Sequence, residues 1–266
     1  MSEGNYTAGD HTFAVLSYGE SPFLEECIRS LLGQSVRSRI VLATSTPNEE
    51  NRRLARKYDL ELHVNRGRGG IAGDWNHGLR CAGTELVTLA HQDDLYERTY
   101  TEKLLLRLNA ARQPLIYFTD YYEIREGKRV DDNPLLGTKR KLLGLVRRFP
   151  SSKMARRTAL CMGNAICCPS ITYLKSVVGE DPFEYHFSSN LDWELTEKLS
   201  RRKGSFVYQP EPLMGHRIHE ESTTSAVIHQ TGRGGEDLEM LKKFWPGWIA
   251  GIIERSYASA EKSNSL

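Results

Sequence analysis

The chain has 266 residues, which is enough for one large domain or two small ones with a sizeable buried core. Its composition, with 39% hydrophobic and 26% charged residues, is typical of a soluble globular protein and excludes collagen-like, disordered and coiled-coil classes. Lys and Arg number 36 against 34 Asp and Glu, and the net charge of +2 argues against a dedicated nucleic-acid-binding protein.

Apolar runs alternate with helical patterns over the first 120 residues. Five runs predict strands, at 12–17, 39–43, 61–65, 86–90 and 115–120. Pro22 predicts the start of the first helix, a capping box of Thr46 and Glu49 that of the second, and Gly83 the end of the third, over 71–82. This alternation predicts βαβ crossovers, and hence an α/β fold whose central sheet is mostly parallel and flanked by helices.

The second half of the chain is less regular. We expect an apolar segment at 164–173, a helix over 192–203 that Gly204 ends, and a strand over 205–208. After about residue 236 the pattern predicts a helical tail, with Trp245 and Trp248 as packing anchors.

Ligands of such sheets bind beyond the carboxyl ends of the strands. This rule selects four loops, at 17–18, 43–46, 65–70 and 91–94. The last contains Asp93 and Asp94, whose charges repel each other unless a cation or donor groups neutralise them. Mg²⁺ or Mn²⁺, held by one or two carboxylates and the phosphates of a ligand, satisfies such a pair. The alternative is that the two carboxylates only cap the next helix.

Targeting signals and cysteine patterns are both lacking in the sequence. No apolar run approaches the ~18 residues of a membrane span, and the first residues resemble no signal peptide, so we expect a cytoplasmic protein. The five cysteines are an odd number without CxxC spacing, which argues against a disulfide framework or a zinc ribbon.

Five elements in a fixed order resemble the family 2 glycosyltransferases of the bacterial type, which have the GT-A fold. They are Ser17-Tyr18-Gly19 after the first strand, a Gly-rich turn, the helix Asp74-Trp75-Asn76-His77-Gly78-Leu79, Asp93-Asp94, Asn190-Leu191-Asp192-Trp193-Glu194 and His216-Arg217-Ile218-His219, the turn and its helix counting as one. Each element is weak alone, but their order over about 11–224 is specific.

The resemblance implies a single GT-A-like domain over 1–266. Its nucleotide-sugar-binding half is expected at about 11–120, its acceptor and catalytic-base half at about 121–224, and a helical extension at about 225–266. The implied reaction moves a sugar, with inversion, from a nucleotide-sugar donor, UDP-sugar favoured, to a hydroxyl of a glycan or lipid-linked glycan. It uses Mn²⁺ or Mg²⁺ and belongs to cell-surface polysaccharide or glycan synthesis.

The resemblance also implies roles for individual residues in catalysis. Asp192 is the expected base, with Glu194 as the alternative. Asp94 and His219 are expected on the metal and Arg217 on the diphosphate.

A second group of residues is expected on the nucleoside of the donor. The family usually has an acidic residue after the second strand, where this chain has Thr44 and Ser45, so their hydroxyls or backbone groups are the candidates for the base. Asp93 is expected on the ribose. Ser17, Tyr18 and Asp74 complete the donor-binding set.

Two other functions compete with this one. Gly67-x-Gly69-x-x-Ala72 follows a strand and opens a helix, as in an NAD-dependent dehydrogenase, but two strands precede it and Arg66 and Arg68 crowd the turn. A non-catalytic nucleotide-sugar-binding module is the second alternative, and it would not need Asp192.

A basic, partly apolar stretch lies in the second half. Residues 128–157 include ten basic and two acidic residues, a local charge of +8. Leucines between the charges predict an amphipathic helix, and 139–157 is a candidate for peripheral contact with the anionic inner face of the cell membrane. The alternatives are a solvated basic face and a clamp for donor phosphates.

Overall fold

The computed structural model describes residues 5–219 and 234–264. The first half alternates strands and helices as predicted, with one short additional strand, β5: β1 (His11–Ser17), α1 (Leu24–Leu32), β2 (Arg39–Thr44), α2 (Glu49–Tyr58), β3 (Glu61–Val64), α3 (Ile71–Cys81), β4 (Leu86–His91), β5 (Leu95–Tyr96), α4 (Tyr100–Asn109) and β6 (Pro114–Arg125). The second half contributes β7 (Lys128–Val130), α5 (Pro134–Arg148), α6 (Lys153–Leu160), β8 (Ile171–Leu174), α7 (Lys175–Val178), α8 (Leu191–Ser200), β9 (Ser205–Ile218), α9 (Gly234–Lys242) and α10 (Gly247–Asn264).

Strand β9 is much longer than the sequence predicts. Pro210 and Pro212 follow the predicted strand over 205–208 and would normally end it. The strand continues because its pairing with β6 shifts register on both sides of Asp120, which accommodates the two prolines.

The strands form one sheet in the order β3-β2-β1-β4-β8-β6-β9-β5, with β7 paired to β6. β1, β2, β3 and β4 pair in parallel, as do β6 and β9, whereas β8 runs antiparallel to both β4 and β6. The α/β class is confirmed, but the sheet is mixed, because apolar runs identify strands and not their directions. The division into halves at about 120 stays a prediction, and the boundary at 224–225 lies outside the described residues.

Both faces of the sheet are covered. Phe13 and Val15 of β1 pack in a cluster with Leu24 of α1, whereas Ala14 between them packs on the opposite face with Leu79 of α3. Continuous apolar strands are therefore required here, as their sequences indicate.

The predicted capping box at the start of α2 is wrong in its residues. Asn48 is the N-cap: its side chain accepts a hydrogen bond from the amide of Asn51 (2.8 Å), and the Asn51 side chain accepts one from the amide of Asn48. Thr46 instead accepts a hydrogen bond from Gly19 (2.6 Å). Asparagine also caps helices, and two further residues of extended chain bring Asn48 to the helix start.

The tail is helical as predicted, but only one tryptophan anchors it. Trp245 packs on the core, and its indole N–H donates to the carbonyl of Cys161 (2.7 Å). Trp248 is 72% exposed, so its predicted anchoring role is wrong. Since a new helix begins at Gly247, Ala250 faces the core instead.

The charge of the basic stretch is only partly at the surface. Arg156 is fully buried and donates to two carbonyls of the 202–204 turn, and Arg140 pairs with Asp120 (2.6 Å). Local sequence charge therefore overstates the surface charge. Among the helices in the described ranges, none has both the length and the apolar composition of a membrane span.

Candidate active site

The four loops selected from the sequence meet at one edge of the sheet. In the strand register, Ser17 lies opposite Thr44, Leu16 opposite His91, and Thr44 opposite Val64. The carboxyl ends of β1 to β4 are therefore neighbours, and the residues that follow them line a common region.

Hydrogen bonds join these loops to each other. The Gln92 side chain bonds both backbone groups of Tyr18, accepting from its N–H (3.1 Å) and donating to its carbonyl (3.0 Å). Tyr18 itself is 61% exposed and open to a ligand. Ser17 and Thr44 are buried, and their hydroxyls accept internal hydrogen bonds from Asn51 and from the amide of Thr46, respectively.

A carboxylate lies next to the end of β2. Asp74, in the first turn of α3, accepts hydrogen bonds from the Ser45 hydroxyl (2.8 Å) and from the Asn65 amide group (2.9 Å). A carboxylate has about four acceptor sites. Asp74 can therefore accept a further hydrogen bond from a ligand.

The glycine-rich turn brings α3 close to the preceding loop. Gly70 precedes the helix with a φ of +88°, which favours glycine, and a Cβ on Gly73 would lie 2.0 Å from the carbonyl oxygen of Arg68. The glycines that the backbone requires are thus Gly70 and Gly73. They differ from Gly67 and Gly69, the glycines of the dinucleotide fingerprint.

Asp94 is completely buried in a polar network. Its Oδ1 lies 3.0 Å from Nδ1 of His216 and accepts from the amide of Arg217 (2.9 Å). Burial alone would raise the pKa of Asp94, but these partners outweigh it and the pKa lies below its ordinary value. The pKa of His216 is raised, because the charge of Asp94 outweighs the effect of burial. The two side chains are thus held as an ion pair.

Residues at the end of β9 also form hydrogen bonds with Asp93. His219 Nε2 lies 2.9 Å from Asp93 Oδ2, and Arg217 donates to the Asp93 carbonyl (2.9 Å). Arg217 also pairs with Glu26 (2.6 Å) and lies over the ring of Phe23. The structure therefore brings His219 to Asp93 and buries Arg217.

The acidic motif has the chemistry of a cation site. Potential ligand atoms of His91, Asp93 and Asp94 all lie within 4.8 Å of one another. Asp94 Oδ2 is buried without a hydrogen bond, and His91 Nδ1 lies 3.9 Å from it. An orphaned carboxylate oxygen costs free energy. A divalent ion would satisfy it, so the residues present fit a metal.

Asp192 lies in the first turn of α8, where Asn164 donates a hydrogen bond to its Oδ2 (2.6 Å). Cys168 lies 3.9 Å from His91 Nε2, and burial together with the charge of Asp192 raises the pKa of its thiol. Asp192 and the acidic motif therefore both lie near Cys168.

Glu194 has a different environment. It is buried and paired with Lys198 (2.8 Å) and Lys243 (3.2 Å).

Several residues of the site were given no individual role from the sequence, although two of them lie in the selected loop 91–94 and in the motif at 216–219. Gln92, Asn164 and His216 act through hydrogen bonds across 28 to 122 residues of chain. His216 directly precedes the predicted Arg217, which is the one local signal that marks it.

Comparisons with known proteins agree with the fold. Residues 12–174 match the family model described as Glycosyl transferase family 2. No curated protein was found to match the chain.

Among solved structures, S. aureus TarS 1-349 in complex with UDP-GlcNAc is similar, with a TM-score of 0.66 and 13% identity over 94% of this chain and 71% of that chain. TarS 1-349 has a TM-score of 0.62 and 13% identity, covering 88% and 70%. The longer S. aureus TarS structure has a TM-score of 0.61 and 13% identity over 92% of this chain, which spans 42% of its length. These likenesses confirm the GT-A-like fold. With the family model covering more than half of its residues, the chain belongs to glycosyl transferase family 2.

Proposed function

We propose that this glycosyltransferase moves a sugar from a UDP-sugar to an acceptor hydroxyl with inversion at the anomeric carbon. The observation that carries the proposal is that Asp192 and the acidic motif both lie close to Cys168. A base for the acceptor and a site for the donor's diphosphate then share one region. The similar fold of TarS in complex with UDP-GlcNAc supports a UDP-sugar as the donor class.

The uridine would be held at the ends of β1 and β2. Asp74 would accept the ring N–H of uracil, since Ser45 and Asn65 fix its carboxylate and leave acceptor sites open. Tyr18 offers an exposed ring for stacking. Because the side chains of Ser17 and Thr44 are buried, these two residues would contact the donor through their backbone.

Asp93 would bind the ribose hydroxyls, and Arg217 the diphosphate. Arg217 is now paired with Glu26, which is 55% exposed, so an incoming diphosphate would compete with that carboxylate. Asp94 and His219 would hold Mn²⁺ or Mg²⁺, and Asp93 is in contact with His219. When bound, such an ion neutralises charge that develops on the departing diphosphate.

Asp192 would take the proton of the acceptor hydroxyl while the oxygen of that hydroxyl attacks the anomeric carbon. The new glycosidic bond forms on one face while the bond to the diphosphate breaks on the other, so UDP leaves and the configuration inverts. Asn164 orients the carboxylate. The two lysines that neutralise Glu194 favour Asp192 over Glu194 as the base.

The acceptor we propose is a glycan or lipid-linked glycan of the cell surface, reached from the cytoplasmic face of the membrane. Four basic side chains of α5 and α6 are exposed, at Lys141, Arg147, Arg148 and Lys153. Beside them Leu145, Phe149 and Met154 are 41%, 51% and 79% exposed. Cationic and apolar side chains on one surface suit an anionic lipid interface.

The proposal is tested by a thermal-shift screen of nucleoside diphosphates and their sugars, followed by transfer assays with the best donor. Binding stabilises a fold in proportion to occupancy, so UDP and one UDP-sugar should raise the melting temperature. Asp192→Asn should lower turnover by about 10²–10⁴-fold and keep donor affinity, whereas the exposed Asp181→Asn should change neither. Stabilisation by NADH and not by UDP, or full turnover of the Asp192 variant, would overturn it.

A further inference from the structure

The turn before α8 is held by a carboxylate from another part of the chain. Glu236, in the first turn of α9, accepts hydrogen bonds from the amides of Ser188 (2.7 Å), Ser189 (2.9 Å) and Asn190 (3.2 Å). It also accepts from the hydroxyls of both serines. Five donors thus converge on one side chain from 46 to 48 residues away.

This carboxylate remains ionised over the whole physiological range. Partial burial would raise the pKa of Glu236, but the hydrogen bonds from Ser188 and Ser189 outweigh it and lower the pKa to about 2. Hydrogen bonds to an ionised carboxylate are about twice as strong as neutral ones. Glu236 therefore holds the turn more firmly than an ordinary loop contact would.

The N-terminus of α8 depends on α9 for a second contact. Asn190 is the N-cap residue of α8, yet its side chain makes no capping hydrogen bond to that helix. It donates instead to Asp237 (2.6 Å). Adjacent acidic residues of α9 thus bind the turn from which α8 begins, two positions before Asp192.

Helix α8 is also held by contacts of its own with the core. Leu191, Trp193 and Leu195 are buried in the core, and the indole of Trp193 donates to the carbonyl of Leu160 (3.0 Å). Helix α9 is docked independently through its buried Met240 and Leu241. Loss of the Glu236 charge should therefore loosen the turn at 188–190 and leave both helices in place.

We propose that Glu236 is a positioning residue for Asp192, and that α9, which carries Glu236, therefore contributes to the geometry of the active site. This inference rests on the proposed function, in which Asp192 is the base. A base must lie within hydrogen-bond reach of the proton it takes, and a misplacement of about 1 Å can cost about 10²-fold in rate. Asn164 holds the carboxylate itself, and Glu236 holds the turn that precedes its helix.

The experiment compares Glu236→Gln with Glu239→Gln, a control on the same helix whose side chain is 54% exposed. Glu236→Gln should lower kcat by about 10–100-fold with little change in donor KM, and amide exchange at 188–190 should accelerate. The control should do neither. Ser189→Ala removes one of the five hydrogen bonds, and a smaller change of the same kind is expected if the Gln variant is too unstable to assay.

A double variant separates positioning from a general structural effect. If Glu236 acts through Asp192, Glu236→Gln should change the residual rate of Asp192→Asn by less than about threefold. An equal loss of rate in both backgrounds, or a loss in donor affinity alone, would overturn the inference. Full turnover of Asp192→Asn would instead refute the proposed base. Accelerated amide exchange at 188–190 in Glu236→Gln would still establish the contact of Glu236 with the turn.

Discussion

Asp74 accepts a hydrogen bond from Ser45, so a carboxylate stands at the end of β2 although no acidic residue directly follows that strand. It comes from α3, 29 residues later in the chain. The expectation that Thr44 and Ser45 face the nucleobase was based on adjacency in sequence and stays a prediction. In three dimensions, Ser45 orients an acid supplied by a neighbouring helix.

Asp74→Asn should weaken UDP binding and reduce discrimination between UDP and CDP. Asn retains the size of Asp, but it presents donors where the uracil N–H needs an acceptor, and loss of such a hydrogen bond costs about 1–3 kcal/mol. Calorimetric titration with UDP should show a 10–100-fold weaker affinity. Asp59→Asn, at the end of α2, is the control. Unchanged UDP affinity of the Asp74 variant would show that another group binds the base.

Activity should be lost in EDTA and restored by Mn²⁺ or Mg²⁺. The direct measurement is calorimetry of Mn²⁺ with UDP present. His219→Ala should weaken Mn²⁺ binding, because His219 contacts Asp93 within the acidic motif, and His63→Ala on β3 should not. Asp94→Asn should weaken it further, since Asp94 Oδ2 is the orphaned buried oxygen. Tight UDP binding that depends neither on metal nor on these two substitutions would contradict a metal site.

Vesicles containing anionic lipid should sediment the protein at low salt. Each basic residue near such a surface contributes about 1 kcal/mol, and the attraction decays within a Debye length of about 10 Å at 0.1 M salt. Exchange of Arg147 and Arg148 for Glu should abolish sedimentation. The matched control reverses Arg52 and Arg56 on α2. Equal loss in both double variants would indicate a general charge effect and would count against the α5 surface.

Acidification should destabilise the fold partly through His11. Complete burial between Ser38 and Thr88 lowers its pKa to about 3, so the folded state keeps it neutral while the unfolded state takes up a proton below about pH 6.5. The free energy of unfolding therefore falls progressively as the pH drops from 6.5 towards 3. At pH 5 the loss due to His11 amounts to about 2 kcal/mol.

The measurement is urea unfolding at pH 7 and pH 5. His11→Gln should lose less stability between the two pH values than the unaltered chain, although it starts from a lower value at pH 7. His186→Gln, whose side chain is half exposed, should follow the unaltered chain. Identical pH dependence in all three proteins would exclude His11 as the source.

Strand and helix positions in the first half could be predicted because each element has a local signal. Buried strands such as β4 are continuous apolar runs, and helices such as α3 end at glycine. Strand direction has no such signal, and the antiparallel β8 lies in a stretch that was predicted only as an apolar segment. The full length of β9 could not be predicted, because prolines normally end a strand and only the pairing with β6 explains how they are tolerated.

Residues of the site were predictable where they lie in short motifs and not where they are supplied from far along the chain. Asp93 and Asp94 could be predicted because they are two adjacent carboxylates that follow a strand. Asn164 and Glu236 are ordinary polar residues in the sequence, and only their contacts with Asp192 and the turn before it give them a role. The exposure of Trp248 was likewise unpredictable, because it depends on where α10 begins.

The partners of Asp94 come from the end of β9, 122 and 123 residues later in the chain. A nascent chain reaches them only after the first four strands, and most of the second half, have left the ribosome. Until then, a carboxylate destined for complete burial has neither His216 nor the amide of Arg217 to neutralise it. Because both partners of Asp94 would be missing, an N-terminal fragment that stops before residue 216 should lack the affinity for nucleotide that the full chain has.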